Sequence, residues 1–230
     1  MPRRRRLAIP HIPLHVTQRG NNRCACFIGD SDRLVYLDLL ATHTRLHDLA
    51  VHAYVLMTNH VHLLVTPNTT SALGKGMRHV NQRYAQYFNR RHERTGTLWE
   101  GRPYSCLVEA EAYLFTCHRY VENNPVRARM VERAEDYRWS SHRANAFGEH
   151  DPVLTSHPLV VALGRSADER LREYRELFRT EDAAGTIEQI RSATAGGLAL
   201  GRESFAKDVA RALDRRATRG KPGRPYKRQR

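Results

Sequence analysis

The sequence predicts an α+β fold, and three observations carry that expectation. Four short apolar runs of strand-like composition fall within residues 12–109. Two longer stretches with apolar residues at helical spacing separate them. A third helical stretch follows the last strand and stops at a proline.

Taken in order, "IPLHVTQRG" (12–20) predicts a strand that ends in a turn at Gly20, Asn21 and Asn22. "SDRLVYLDLLATHTRLHDL" (31–49) opens on Ser and Asp, which cap helix N-termini. Its Leu34, Leu37, Leu40 and Leu46 are the expected apolar stripe. "VHAYVLM" (51–57) and "VHLLVTP" (61–67) predict two strands joined as a hairpin through "TNH". "SALGKGMRHVNQRYAQYFNRRH" (71–92) predicts a second helix, basic and aromatic. "PYSCLVE" (103–109) predicts a fourth strand, and "AEAYLFTCHRYVEN" (110–123) a helix halted by Pro125. On that helix Tyr113, Leu114, Cys117 and Val121 form a stripe that buries against the sheet.

The order β-α-β-β-α-β followed by a helix is the ferredoxin-like split arrangement, an antiparallel sheet with helices on one face. The other face is then expected to be open to a ligand. Residues 149–190 change character, with nine acidic against five basic residues and a helical pattern around "RLREYRELF". A Gly-rich break, "AGGLALG" (195–201), precedes the amphipathic "RESFAKDVARALDRR". The expected organisation is therefore a main domain over 1–148, a helical appendage over 149–214 and a disordered basic tail over 215–230.

The formal net charge is +14, and its placement matters more than its size. Residues 3–6 are "RRRR", and 215–230, "RRATRGKPGRPYKRQR", hold eight Lys/Arg and no acid. Without those twelve charges the chain has 26 basic against 24 acidic residues. Cationic excess gathered in two terminal arms is the usual form of sequence-independent phosphate binding. "KPGRP" around Arg224 is faintly like a minor-groove hook. No segment reaches the length of a membrane-spanning helix. The Pro-broken "LAIPHIPLHV" lacks a small-residue cleavage site, so no signal peptide is expected. Cys24, Cys26, Cys106 and Cys117 lack paired C-x-x-C spacing, which supports neither a zinc finger nor a disulfide framework. A reduced, cytoplasmic, nucleoid-associated protein is expected.

"LMTNHVHLLV" (56–65) holds the chain's H-x-H motif. Side chains at i and i+2 of a strand share a face, so His60 and His62 are placed to meet on one metal ion. The same spacing also fits hydrogen-bonded core or surface histidines. On the last helix Tyr120 and Asn124 stand at i and i+4. A phenol beside an amide oxygen next to a metal is a workable nucleophile site, although Tyr120 also fits as a packing residue. His43 and His47, another i, i+4 pair, lack a third ligand nearby in sequence and read as a surface pair. Arg83, Arg90, Arg91, Arg94 and Arg102, interleaved with Tyr84, Tyr87 and Trp99, form a basic and aromatic stretch. Such a stretch holds single strands by stacking and phosphate contact, or is a solvated face over core aromatics. Trp99 and Trp139 read as packing residues. Arg19 and Asn22, just after the first strand, are candidate phosphate contacts.

Five blocks carry a family resemblance: "VTQRGNNR" (16–23), "YVLMTNHVHLLV" (54–65), "RTGTLWEGR" (94–102), "RYVENNPVRARMV" (119–131) and "YRWSS" (137–141). In these blocks, spread over about residues 8–148, the chain resembles the REP-associated tyrosine transposases, within the single-tyrosine HUH transposases that act on single-stranded DNA. The resemblance implies the HUH endonuclease core as the fold and His60 and His62 as metal ligands. It implies Tyr120 as the nucleophile and Asn124 as the third protein ligand, with Asn123 and Glu122 as rivals should Pro125 distort the helix. The implied ion is Mg²⁺ or Mn²⁺. The implied reaction cleaves and rejoins single-stranded DNA at palindromic hairpin repeats through a 5′-phosphotyrosine. Hairpin or single-stranded DNA is the implied partner, with no nucleotide cofactor and no membrane, the protein acting as a monomer or homodimer. A non-cleaving hairpin-DNA-binding regulator is the alternative. The strand "PYSCLVE" departs from the more basic strand expected of close relatives.

Overall fold

The structure is a computed structural model that describes residues 6–180 and 183–218. Arg3–Arg5, residues 219–230 and with them Arg224 and the "KPGRP" stretch lie outside the described residues.

Every element of the expected order is present, within about three residues of its expected ends. Strand β1 (Leu14–Arg19) leads through a short turn to helix α1 (Asp30–Leu46). The hairpin of β2 (Leu49–Met57) and β3 (His60–Pro67) follows, then α2 (Ala72–Arg91), β4 (Tyr104–Val108) and α3 (Ala110–Glu122). The strands order as β2-β3-β1-β4, all antiparallel, and a two-residue strand β5 (Ala199–Leu200) adds in parallel to the β4 edge. The fold is thus α+β on a mixed five-stranded sheet.

Strand alternation sorts the sheet into two faces. Leu14, Val16 and Gln18 of β1 face α1 and α2, with Gln18 accepting a 3.0 Å hydrogen bond from Asn81 of α2. His15 and Thr17 face the other way. Helices α1 and α2 share one face, as the ferredoxin-like arrangement requires. The second face, expected to be open, is covered in part by α3 and by α8 (Ala184–Gly196), whose Thr194 reaches His15. Residues past 149 therefore enter the sheet and its packing.

The buried line of α1 differs from the expected one. Leu34 is 52% and Leu46 67% exposed, whereas Asp32, Tyr36, Leu40 and Thr44 are buried. Of the expected leucines Leu40 is buried and Leu37 packs against the core, but the buried line runs in four-residue steps through Tyr36, because Phe27, Tyr84 and Trp99 offer it an aromatic nest. Asp32 closes the helix start: its carboxylate accepts the N–H groups of Ile28 and Gly29. On α3, Leu114, Cys117 and Val121 bury as expected, with Tyr113 only half-buried.

Tyr84, in the stretch that could stack on a single strand, is a core residue, and Trp99 packs in the core as expected. Tyr84 donates its hydroxyl to the Cys26 carbonyl, and the Trp99 indole donates to the Asn81 carbonyl. Trp139 is likewise buried, in a segment that pairs with the free edge of β2 through Val55 and Ser140. All four cysteines are free. Among the described residues no helix is long and apolar enough to cross a membrane.

Beyond α3 come α4 (Asn124–Arg127), α5 (His142–Phe147), α6 (Pro158–Val161), α7 (Ala167–Glu176), then α8, β5 and α9 (Glu203–Leu213). A buried carboxylate on α3 joins two of them, α5 and α7. Glu122 Oε1 accepts from Ser141 Oγ and Asn145 Nδ2, and Oε2 from His142 Nδ1 and the Tyr174 hydroxyl.

Candidate active site

Pairing register sets the geometry. His62 lies opposite Thr17 and His60 opposite Arg19 across the β1–β3 ladder. His15, Thr17 and Arg19 therefore share a face with His60 and His62, and α3 lays Tyr120 against them. The His60 and His62 rings stand 5.0 Å apart. Tyr120 meets the His15 ring edge-on at 5.3 Å and the His62 ring at 5.5 Å. Tyr120 is only 4% exposed.

The hydrogen bonds fix where each imidazole carries its proton. Thr194 donates its hydroxyl to the Ile190 carbonyl at 2.7 Å, so its oxygen must accept from His15 Nδ1, also at 2.7 Å. His15 Nε2 is then a lone pair, and it accepts from His62 Nδ1 at 2.8 Å, with Thr17 Oγ1 a second acceptor at 3.1 Å. The consequence is that His62 keeps its free lone pair on Nε2. His60 reaches the same state by another route. Asn59 donates its amide N–H to the Arg23 carbonyl at 3.0 Å, which turns Oδ1 toward His60 Nδ1 at 2.7 Å. His60 Nδ1 donates there, and its Nε2 is left as an acceptor.

Electrostatics keep the rings neutral. Burial lowers His15 to about 3, helped by Arg127. Burial, with Arg19 beside it, lowers His60 to about 4. His62 is held well below the ordinary range by burial and by its neighbours His15, His60, Arg127 and Arg19. Neutral imidazoles with a free Nε2 lone pair are the form that ligates a divalent ion.

Where α3 ends also matters. Pro125 has no N–H to continue the helix, and the chain breaks at Asn123 before the single turn of α4. That turn brings Arg127 back over Tyr120, its guanidinium 4.6 Å from the ring centre and donating to the Tyr120 carbonyl. Asn124 stands half-buried at the first position of α4. Of its rivals, Glu122 is set aside, since both its oxygens are consumed by four donors on the far side of α3. Asn123 lines a separate cavity with His142 and Phe178.

The candidate DNA contacts divide. Arg19 lies at the site, and Asn22 is exposed in the following turn, in left-handed backbone at φ 51°. Gly20 lets that turn close: it donates to the Asn59 carbonyl, and any Cβ would lie 2.2 Å from the Cys24 carbonyl oxygen. Residues 98–102 pair with the end of β1 through Gly20 and Trp99, which puts exposed Arg102 near the same rim. Arg83, Arg90 and Arg91 are exposed on α2, over the opposite face of the sheet, where Arg83 acts on His43. The structure does not bring those three to the histidines. His15, Thr17, Asn59, Arg127 and Thr194 were not expected from sequence. The polar alternation of His15, Thr17 and Arg19 in β1 is the one local signal that marks any of them.

One solved structure, a REP-associated tyrosine transposase bound to a REP hairpin, superposes with a TM-score of 0.53. It shares 18% identity and covers 68% of this chain and 93% of its own, a likeness of fold. No curated protein matches. The family described as "Transposase IS200 like" matches residues 8–124, which carry β1 through α3, both histidines, Tyr120 and Asn124. The chain belongs to the IS200-like transposase family.

Proposed function

We propose that the protein is a metal-dependent tyrosine transposase that cleaves and rejoins single-stranded DNA at palindromic hairpin repeats. The observation that carries this reading is the convergence of a tyrosine with two histidines, each hydrogen-bonded so that Nε2 is left free. His60 and His62 Nε2, with Asn124, would hold a divalent ion such as Mg²⁺ or Mn²⁺. Such an ion offsets charge on the scissile phosphate when bound. Two imidazoles and an amide also suit zinc.

The remaining work falls to residues of this chain. Arg19 and Arg127 flank the histidines and offer positive charge to the phosphate. Tyr120 Oη attacks phosphorus, the bond to the 3′ oxygen breaks, and a free 3′-OH leaves while the 5′-phosphate stays on tyrosine. The ester is kept in that covalent link, so a 3′-OH reverses the step onto another strand without a nucleotide cofactor. Arg102 and Asn22 sit on the rim where the strand would run, and the terminal arms add sequence-independent attraction. The substrate class follows the hairpin held by the structurally similar transposase.

The test uses 5′- and 3′-labelled single-stranded hairpin oligonucleotides, with Mg²⁺ and with EDTA. Wild type should form a covalent adduct on the downstream fragment, lost in Tyr120→Phe, in His62→Ala and in EDTA. Cleavage that survives in Tyr120→Phe would remove the nucleophile assignment. Hairpin binding with no adduct from any repeat would favour a non-cleaving regulator.

A further inference from the structure

His43 and His47, a surface pair by sequence, acquire a third member in the fold. Helix α2 crosses α1 so closely that Gly76 lies beneath them: a Cβ there would stand 3.7 Å from the His43 carbonyl oxygen and 3.8 Å from His47 Cβ. One turn further along α2, His79 enters between the two rings. Its ring stacks on His47 at 4.9 Å and on His43 at 5.5 Å. One nitrogen from each of the three rings lies within 4.8 Å of the others. All three are half-buried, at a rim open to solvent.

The hydrogen bonding of this trio is incomplete. His47 Nε2 and His79 Nδ1 approach to 2.9 Å, while His79 Nδ1 also lies 3.0 Å from the Lys75 carbonyl. A single Nδ1 proton cannot serve both fully. His43 Nδ1 is buried without any partner. A buried ring nitrogen left unsatisfied beside two others that compete for one proton is an arrangement a cation resolves. If His79 Nδ1 donates to Lys75, its Nε2 is freed, the usual carbonyl-backed form of a metal-ligating histidine.

We propose that His43, His47 and His79 form a second metal centre, for zinc, that clips α1 to α2 on the sheet face opposite Tyr120. Three imidazoles plus one solvent ligand make a tetrahedral zinc site. Ligating nitrogens about 2.0–2.1 Å from the ion are closer to one another than 4.8 Å, so the rings draw together on binding. Burial and mutual repulsion keep His43 and His47 below the ordinary range and thus neutral at pH 7. Arg83 faces His43, and Lys75 and Arg78 face His47, which weakens cation binding; Asp48 opposes them. All-nitrogen ligation disfavours Mg²⁺.

The test uses the untagged full chain carrying His62→Ala, so that the candidate catalytic histidines do not compete for the probe. The metal-free protein is titrated with Zn²⁺ against a chromophoric chelator, and with Co²⁺ for its visible spectrum. One equivalent of Zn²⁺ should bind and raise the melting temperature by about 5–10 °C at 100-fold excess over Kd. Adding His79→Gln, or separately His43→Gln, should weaken that binding about 100-fold and abolish the shift. The melting curve of each metal-free variant establishes that it is folded, and the second variant serves if the first is not. Equal Zn²⁺ affinity with and without His79, or a Co²⁺ spectrum of a purely aquated octahedral ion, overturns the proposal.

Discussion

At the scale of single residues, the tautomer of His62 is decided by a side chain 132 positions away. Thr194 can accept from His15 only because it donates to Ile190, and each link fixes the next. Replacing Thr194 with Val should leave the fold intact while freeing His15 to rotate or change tautomer. The expected outcome is a 10- to 100-fold weaker apparent Mn²⁺ affinity in the cleavage assay, with Tyr120 unchanged. Glu122 supports a second expectation. Burial opposes its charge, but His142, Ser141 and their neighbours hold its carboxyl below the ordinary range. Both oxygens face two donors, so Glu122→Gln must point an NH₂ group at donors. That change should cost about 3 kcal/mol, read as a fall in denaturation midpoint at pH 7. Little of this was legible in the sequence. The H-x-H pair and Tyr120 announce themselves by spacing and by resemblance. Thr194 and His15 meet across 179 positions in the chain, and no local pattern marks such a contact.

At the scale of elements, the order of strands and helices was readable because each carries its own periodicity and its own stop. β1, the hairpin and α3 were placed within a few residues by alternation, the "TNH" turn and Pro125. Packing choices were not readable in the same way. The leucines of α1 form a plausible stripe, yet the helix rotates to bury Tyr36 in an aromatic nest. β5, two residues long and Gly-flanked, has too little pattern to identify before β4 offers it an edge. The turn after β1 gives an element-scale prediction. Gly20→Ala places a Cβ against the Cys24 carbonyl, and the displaced turn carries Arg23, whose carbonyl orients Asn59 and through it His60. Lower thermal stability and weaker metal-dependent cleavage should appear together. Unchanged cleavage at full stability would show that the turn adapts without moving Asn59.

At the scale of the molecule, buried neutral histidines tie stability to pH. Outside the active site, burial lowers His52 to about 3 and His118 to about 4. The unfolded chain takes up these protons near pH 6.5, whereas the folded one resists to its lower values. Between those limits the unfolded state binds more protons, so stability falls as pH falls. Each of the two should contribute about 1.4 kcal/mol per pH unit to that loss from about pH 6.5 downward. Urea midpoints measured from pH 7 to pH 4.5 check it, and a flat profile would contradict it. Charge placement gives a second molecule-scale expectation. Removing residues 219–230 deletes six Lys/Arg. The slope of log affinity against log salt for single-stranded DNA should shrink by up to about 4, at 0.7 per phosphate contact. Hairpin preference measured at fixed salt should survive the deletion.

The dependence of His62 on Thr194 also bears on how the protein is made. A ribosome releases the tyrosine and both histidines long before α8 exists. A partial product ending ahead of residue 184 would carry Tyr120 and both histidines without the hydroxyl that sets the tautomers of His15 and His62. On the proposed function, full competence to break a strand would therefore arrive late in synthesis, once α8 docks Thr194 against His15.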